Sequence, residues 1–145
     1  MQNKEQYIVT PKNDIIFKKI FGTKGNEGIL KDFLESILEI KINSLNLDLN
    51  TEILPEFYGG KSSRLDVLAR LDDGTLVDIE IQIDASGYDE KRCLEYWSRL
   101  YTRSIKKNAD YITLEKSIVI LIANKNVKGF EELECHTEWR IYEDK

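Results

Sequence analysis

Two alternating segments, Arg64–Leu71 and Thr75–Asp84, flank Asp72-Asp73-Gly74, and this pattern constrains the chain more than any other. Alternation on both sides of an Asp-Gly turn is a strong hairpin signal. If Leu71 pairs with Thr75 around a three-residue turn, with Gly74 left-handed, partner positions add to 146. Asp66 then lies opposite Glu80, and Arg64 opposite Gln82. Side chains alternate along a strand, so Arg64, Asp66, Asp78, Glu80 and Gln82 share one face. Leu65, Val67, Ala69, Leu71, Val77, Ile79, Ile81 and Ile83 share the other, which is wholly apolar. A two-residue Asp73-Gly74 turn would mix the faces, so the unmixed register is expected.

Two readings of the polar face stand. Opposed carboxylates repel by about a few tenths to 1 kcal/mol unless a neighbour compensates. In the first reading Arg64 bridges them diagonally and the face is solvated, as charged strand faces commonly are. In the second the carboxylates hold a hard divalent cation. Magnesium prefers one or two protein carboxylates, keeps several waters and is completed by phosphate oxygens.

Composition removes many alternatives. A chain of 145 residues is about one domain and needs no disulfide or metal staple. It has 41% hydrophobic and 32% charged residues, which reads as globular rather than disordered. The apolar run Ile118–Ala123 is far too short to span a bilayer, and Met1–Glu5 is not followed by the apolar stretch of a secretory signal. Cys93 and Cys135 make no disulfide framework, so a reducing, cytoplasmic setting is expected. With His136 as the one histidine, a four-ligand Cys/His zinc site is impossible. No G-x-S-x-G, phosphate-binding loop or G-x-G-x-x-G is present. Carboxylates, amides and basic groups remain for chemistry. The net charge of −5 argues against indiscriminate nucleic-acid binding but leaves room for a local basic patch.

Along the chain, Thr10-Pro11 is expected to cap and open a helix through Phe21. Asn26 caps a second, with Ile29, Leu30, Phe33, Leu34, Ile37 and Leu38 facing the core. Leu45, Leu47 and Leu49 mark a strand, and Gly59-Gly60 a turn. After the hairpin come a helix from about Tyr88 to Asn108, a buried strand at Ser117–Ala123 and a half-exposed strand at Glu134–Tyr142. This order predicts one α/β domain, a mixed sheet flanked by helices. On the long helix, Leu94, Trp97, Tyr101 and Ile105 form the stripe expected to face the core. Arg92, Tyr96, Arg99, Arg103 and Lys106 fall almost opposite, with Lys107 at the edge. That basic stripe is either an ordinary solvated face or a track for phosphates. Lys18 and Lys19 read either as an aid to DNA contact or, the reading favoured here, as a solvated helix edge, and His136 reads as a strand-face side chain.

Asp66, thirteen residues, then Glu80-Ile81-Gln82 resembles the Asp…Glu-x-Lys signature of the PD-(D/E)XK nuclease superfamily, with glutamine in the lysine position. More narrowly the chain resembles the recombination-promoting nuclease (Rpn) and transposase-like family. The flanks agree: Pro11-Lys12-Asn13-Asp14 with Phe17-Lys18 and Phe21, Arg92 with Tyr96 and Tyr101, Tyr111 with Leu114, and His136 before Trp139. The resemblance implies a restriction-endonuclease-like fold and magnesium-dependent cleavage of DNA, with manganese as a substitute ion. Asp66, Glu80 and the carbonyl of Ile81 would hold the metal, and Asp66, Glu80 and Gln82 would be catalytic. Gln82 brings no positive charge, though its amide can hold a water or a phosphate oxygen. Arg64, Arg92, Arg99, Arg103 and Lys106 are the expected DNA contacts. Asp14 adds either a metal-side acid or a favourable charge in a helix's first turn. DNA is the expected partner and a membrane is not; a homodimer is compatible with the reading. The domain is expected to span residues 1–145, and relatives continuing past Lys145 would leave it short of a C-terminal segment. The rival reading is a catalytically inactive DNA-binding or protein-interaction module that keeps the fold.

Overall fold

A computed structural model describes residues 11–49, 51–53, 63–82, 89–103, 105 and 110–123. Helix α1 spans Asp14–Phe21 and α2 Glu27–Leu38; strand β1 is Leu45–Leu47, β2 Glu52–Ile53, β3 Ser63–Arg64, β4 Val67–Leu71 and β5 Leu76–Gln82. Helix α3, Asp89–Thr102, leads through a short 3₁₀ turn at Tyr111–Thr113 to β6, Ser117–Ala123. The main sheet runs β1-β4-β5-β6, antiparallel except for the parallel β5–β6 pair. A parallel pair needs a long crossover, and α3 lies within it. The fold is α/β: among the described residues a mixed four-stranded sheet is flanked by three helices, in keeping with a restriction-endonuclease-like architecture. No helix among the described residues is long and apolar enough to cross a membrane.

The hairpin has the expected register. Val67 pairs with Ile79 and Ala69 with Val77, and the Leu71 amide donates to Thr75 O at 2.9 Å. Gly74 takes φ +87°, the left-handed conformation this turn requires, and Asp73 accepts from the Thr75 amide. Past Val67 the strand breaks. The Leu65 amide donates to Thr51 O, and Arg64 pairs with Glu52 on β2, not with Gln82 as the unbroken ladder predicted. The break also turns Leu65 over. It packs with Leu68, Leu76 and Leu100 instead of with Val67 and Ala69.

Both sheet faces are covered. One carries α1 and α2 through Phe17, Leu30 and Leu34 against Val67, Ala69, Val77 and Ile79. The other receives α3 through Leu100 and Tyr96 against Leu65, Leu68 and Leu76. The α3 packing face is therefore rotated from the expected one: Leu100 is fully buried, whereas Leu94 is 50% exposed. Leucines on the sheet's second face, not the helix's own stripe, decide which side docks. Trp97 still reaches the sheet, donating its indole N–H to Ser117 O, and stacks on Tyr101 at 5.3 Å. The helix ends at Thr102, before the expected Asn108.

Helix α1 begins at Asp14 rather than at Pro11, because the Asn13 side chain accepts from the amides of Ile15 and Ile16. Asn26 does precede α2, but its side chain caps the other helix end, donating to Ile20 O at 2.8 Å and Lys19 O at 3.3 Å. Ile29 and Leu49, placed on apolar faces from the sequence, are exposed. Strand β6 has the expected bounds and is half-buried along its length among the described residues. Thr10, the Gly59-Gly60 turn, Ile83, Tyr88, Lys106, Lys107, Cys135, His136, Trp139 and the Glu134–Tyr142 strand lie outside the described residues.

Phe17, Phe21 and Phe33 form the joint that fixes α1, with centroids of Phe17–Phe21 and Phe21–Phe33 both 4.7 Å apart. A Cβ on Gly22 would sit 2.8 Å from Lys18 O and 3.5 Å from Val67 Cγ2, so glycine lets the end of α1 lie directly on β4. Truncating Phe17, 3% exposed, should destabilise the protein by about 3–5 kcal/mol. Urea unfolding of Phe17→Ala checks this; a loss below about 1 kcal/mol would show that α1 is not held by this joint.

Candidate metal and catalytic site

The site lies where β4 parts from β5. The Asp66 amide donates to Glu80 Oε1 at 2.9 Å, and the Ile81 amide donates to Asp66 Oδ2 at 3.1 Å. Side-chain carboxylates thus satisfy amides that the ladder no longer reaches. Asp66 and Glu80 are brought together as the register required, and Ile81 sits beside them with its amide already turned to Asp66.

The face is not solvated. Glu80 is 3% exposed and Asp78 is fully buried. Asp78 stands between Leu68 of β4 and Val119 of β6 in the sheet, and neither of its oxygens has a hydrogen-bond donor among the described residues. Burial, followed by the negative charges of Glu80 and Asp66, pushes its pKa up to about 9. It is therefore neutral at physiological pH. Burial, then the charge of Asp66, raises Glu80 to about 7, opposed by its bond from the Asp66 amide and by Arg92 and Lys18.

Two cations border the acids. Lys18 of α1 bridges Asp14 at 2.9 Å and Asp66 Oδ1 at 2.8 Å. Burial disfavours its charge, but the bonds to Asp66 and Asp14 outweigh this and hold its pKa above the usual value. Lys18 is thus part of the site and not a solvated edge. The i,i+4 spacing of Asp14 and Lys18 was visible in the sequence; the reach to Asp66 was not. Arg92 of α3 donates to Gln82 Oε1 at 2.8 Å and to Tyr96 Oη at 3.2 Å. Its charge is favoured, against burial, by Tyr96, Glu80 and Asp66. Gln82 is half-buried and pairs with Ala123 on β6.

Of the other expected contacts, Arg64 is exposed on β3. Arg99 pairs with Glu95 at 2.6 Å, and Arg103 lies 3.7 Å from Asp48. With Tyr96 packed into the core, these arginines border the docked side of α3 instead of forming a separate outer stripe. A cleft of about 270 Å³ opens beside Asp66, walled by Lys18, Asp48, Thr51 and Arg64.

The donor set suits a hard cation. Asp66 and Glu80 are two carboxyl groups at one point, with a third, Asp78, buried beneath them and unpartnered among the described residues. No group of three or more Asp, Glu, His or Cys residues forms a fuller cage among the described residues. Two carboxylates and a carbonyl are enough for an ion that keeps waters and takes substrate oxygens.

Asp78 and Glu80 both have folded pKa values above their unfolded ones, so the folded chain retains protons that the unfolded chain releases. In metal-free protein this makes stability fall as pH rises from about 4 toward 9. Asp78→Asn, neutral at every pH, should melt higher than wild type near pH 8 and show a shallower decline from about pH 5. Thermal melts in EDTA check this; an unchanged slope would mean that Asp78 ionises freely.

A family model described as PD-(D/E)XK nuclease family transposase matches residues 11–145, which includes α1, both hairpin strands, α3 and β6. No curated protein and no solved structure matches this sequence. Because the match spans nearly the whole chain and takes in Asp66, Glu80 and Gln82, the chain belongs to the PD-(D/E)XK nuclease family of transposases.

Proposed function

We propose that this chain is a divalent-metal-dependent DNA endonuclease of the recombination-promoting type. The convergence of Asp66 and Glu80 at the strand break is the observation that carries the reading. These carboxylates, with the Ile81 carbonyl, would hold magnesium or manganese, whose charge polarises a phosphodiester and makes bound water acidic. The chain's own residues supply the rest. The Ile81 amide fixes Asp66, and the Asp66 amide fixes Glu80, so neither carboxylate must be ordered when substrate arrives. Arg92 occupies the Gln82 carbonyl, so the NH₂ is the end of Gln82 that would donate to a water or a phosphate oxygen.

DNA approaches a surface where Arg64 is exposed and Arg92, Arg99 and Arg103 border α3. Arg99 and Arg103 are already paired with acids, so each exchanges a carboxylate for a phosphate on binding. Replacing both by alanine should weaken binding to all sequences and reduce the salt slope by about 1 for each phosphate left without its arginine. An unchanged slope would remove α3 from the interface.

The decisive experiment is nicking of supercoiled plasmid by the purified chain. Cleavage should require Mg²⁺ or Mn²⁺, stop with EDTA and disappear in Asp66→Asn. The same ions should raise the melting temperature of the wild type, by about 2.7 kcal/mol of stability at a hundredfold excess over Kd, and not that of the variant. A metal-linked melting shift without nicking would favour the inactive DNA-binding module, to which the uncharged Gln82 lends support.

A further inference from the structure

The signature's third position holds Gln82, which carries no charge, yet an ammonium sits against the signature aspartate from another element. Lys18 Nζ lies 2.8 Å from Asp66 Oδ1, on a helix that the Phe17–Phe21–Phe33 joint and the close approach at Gly22 press onto β4. Asp14, one turn earlier, holds the same ammonium at 2.9 Å and so aims it. The Lys18 side chain keeps 38% of its surface exposed and lines the cleft that opens beside Asp66 and Arg64. An ammonium tethered by one acid, touching another and open to a cleft is placed to meet an incoming anion. Arg92 has a different task, because its guanidinium is bonded to Gln82 and Tyr96.

We propose that Lys18 is a catalytic residue that supplies from α1 the positive charge Gln82 lacks, exchanging Asp66 for a non-bridging oxygen of the scissile phosphate. The inference rests on the nuclease reading above and adds the direction of substrate entry, through the cleft between α1 and the β3–β4 segment. In the reaction a water oxygen bonds to phosphorus as one phosphorus–ester oxygen bond breaks. The water's proton leaves to solvent and the departing alkoxide takes one from solvent, so one water is consumed and nothing is oxidised. Charge builds on the non-bridging oxygens as this happens, and a fixed cation there lowers the barrier. Moving from Asp66 to the phosphate also removes a competing cation from the carboxylate that would hold the metal.

The test pairs nicking with a readout that needs no activity. Lys18→Met should nick about 100-fold more slowly or worse than wild type. Its manganese-dependent rise in melting temperature should persist or grow, because a competing cation has left Asp66. Lys18→Met/Gln82→Lys, which returns the charge to the third position, should recover at least about tenfold over Lys18→Met. Nicking by Lys18→Met at the wild-type rate overturns the inference and leaves the nuclease reading intact. Loss of the manganese shift in Lys18→Met overturns it too, because Lys18 would then only hold Asp66 in place. A double variant with its manganese shift intact and no recovery overturns the relocation of charge. A wild type that does not nick overturns the nuclease reading, and this inference with it.

Discussion

Where β4 leaves β5, the backbone ladder is completed by two carboxylates instead of by peptide carbonyls. Glu80 takes the Asp66 amide and Asp66 takes the Ile81 amide. The strand can therefore break and cross to β2 without stranding buried donors, whose desolvation would cost about 1–3 kcal/mol each. The same two bonds hold the acids at a fixed separation and orientation. A structural need and a chemical one are met by the same atoms, and the surrounding cations, the cleft and α1 are arranged around that point.

Placing acids there has a cost that the fold distributes. Asp78 has apolar strand neighbours and keeps its proton, Glu80 is pushed toward neutrality, and Asp66 retains its partner in Lys18. Three acids close together thus carry less charge than their number suggests, which is how like charges coexist in a low-dielectric setting. A divalent ion would reverse this balance by favouring the ionised forms. The cluster is consequently tense without metal and suited to binding it, the usual relation between a functional site and the stability of the fold that carries it.

Sequence alone determined the elements that local periodicity controls. Gly74 and the segregation of apolar from polar positions set the hairpin register, because slipping by one residue would bury Arg70 and expose Val67. That register put Asp66 opposite Glu80, and the signature around them carried the family. Helices α1 and α2 were legible from the apolar stripes they bury, and strand β6 from a continuous apolar run. Tertiary structure decided what depends on a partner element. Leu65 changes face because Thr51 captures its amide, and α3 docks through Leu100 because Leu68 and Leu76 await it. Asp78 is buried because α3 covers a face whose polar residues had suggested water. Lys18 joins the site because α1 packs across β4, forty-eight positions earlier in the chain than Asp66. Periodicity reports which side of an element is apolar, but which charge meets which is set by packing between elements far apart in sequence.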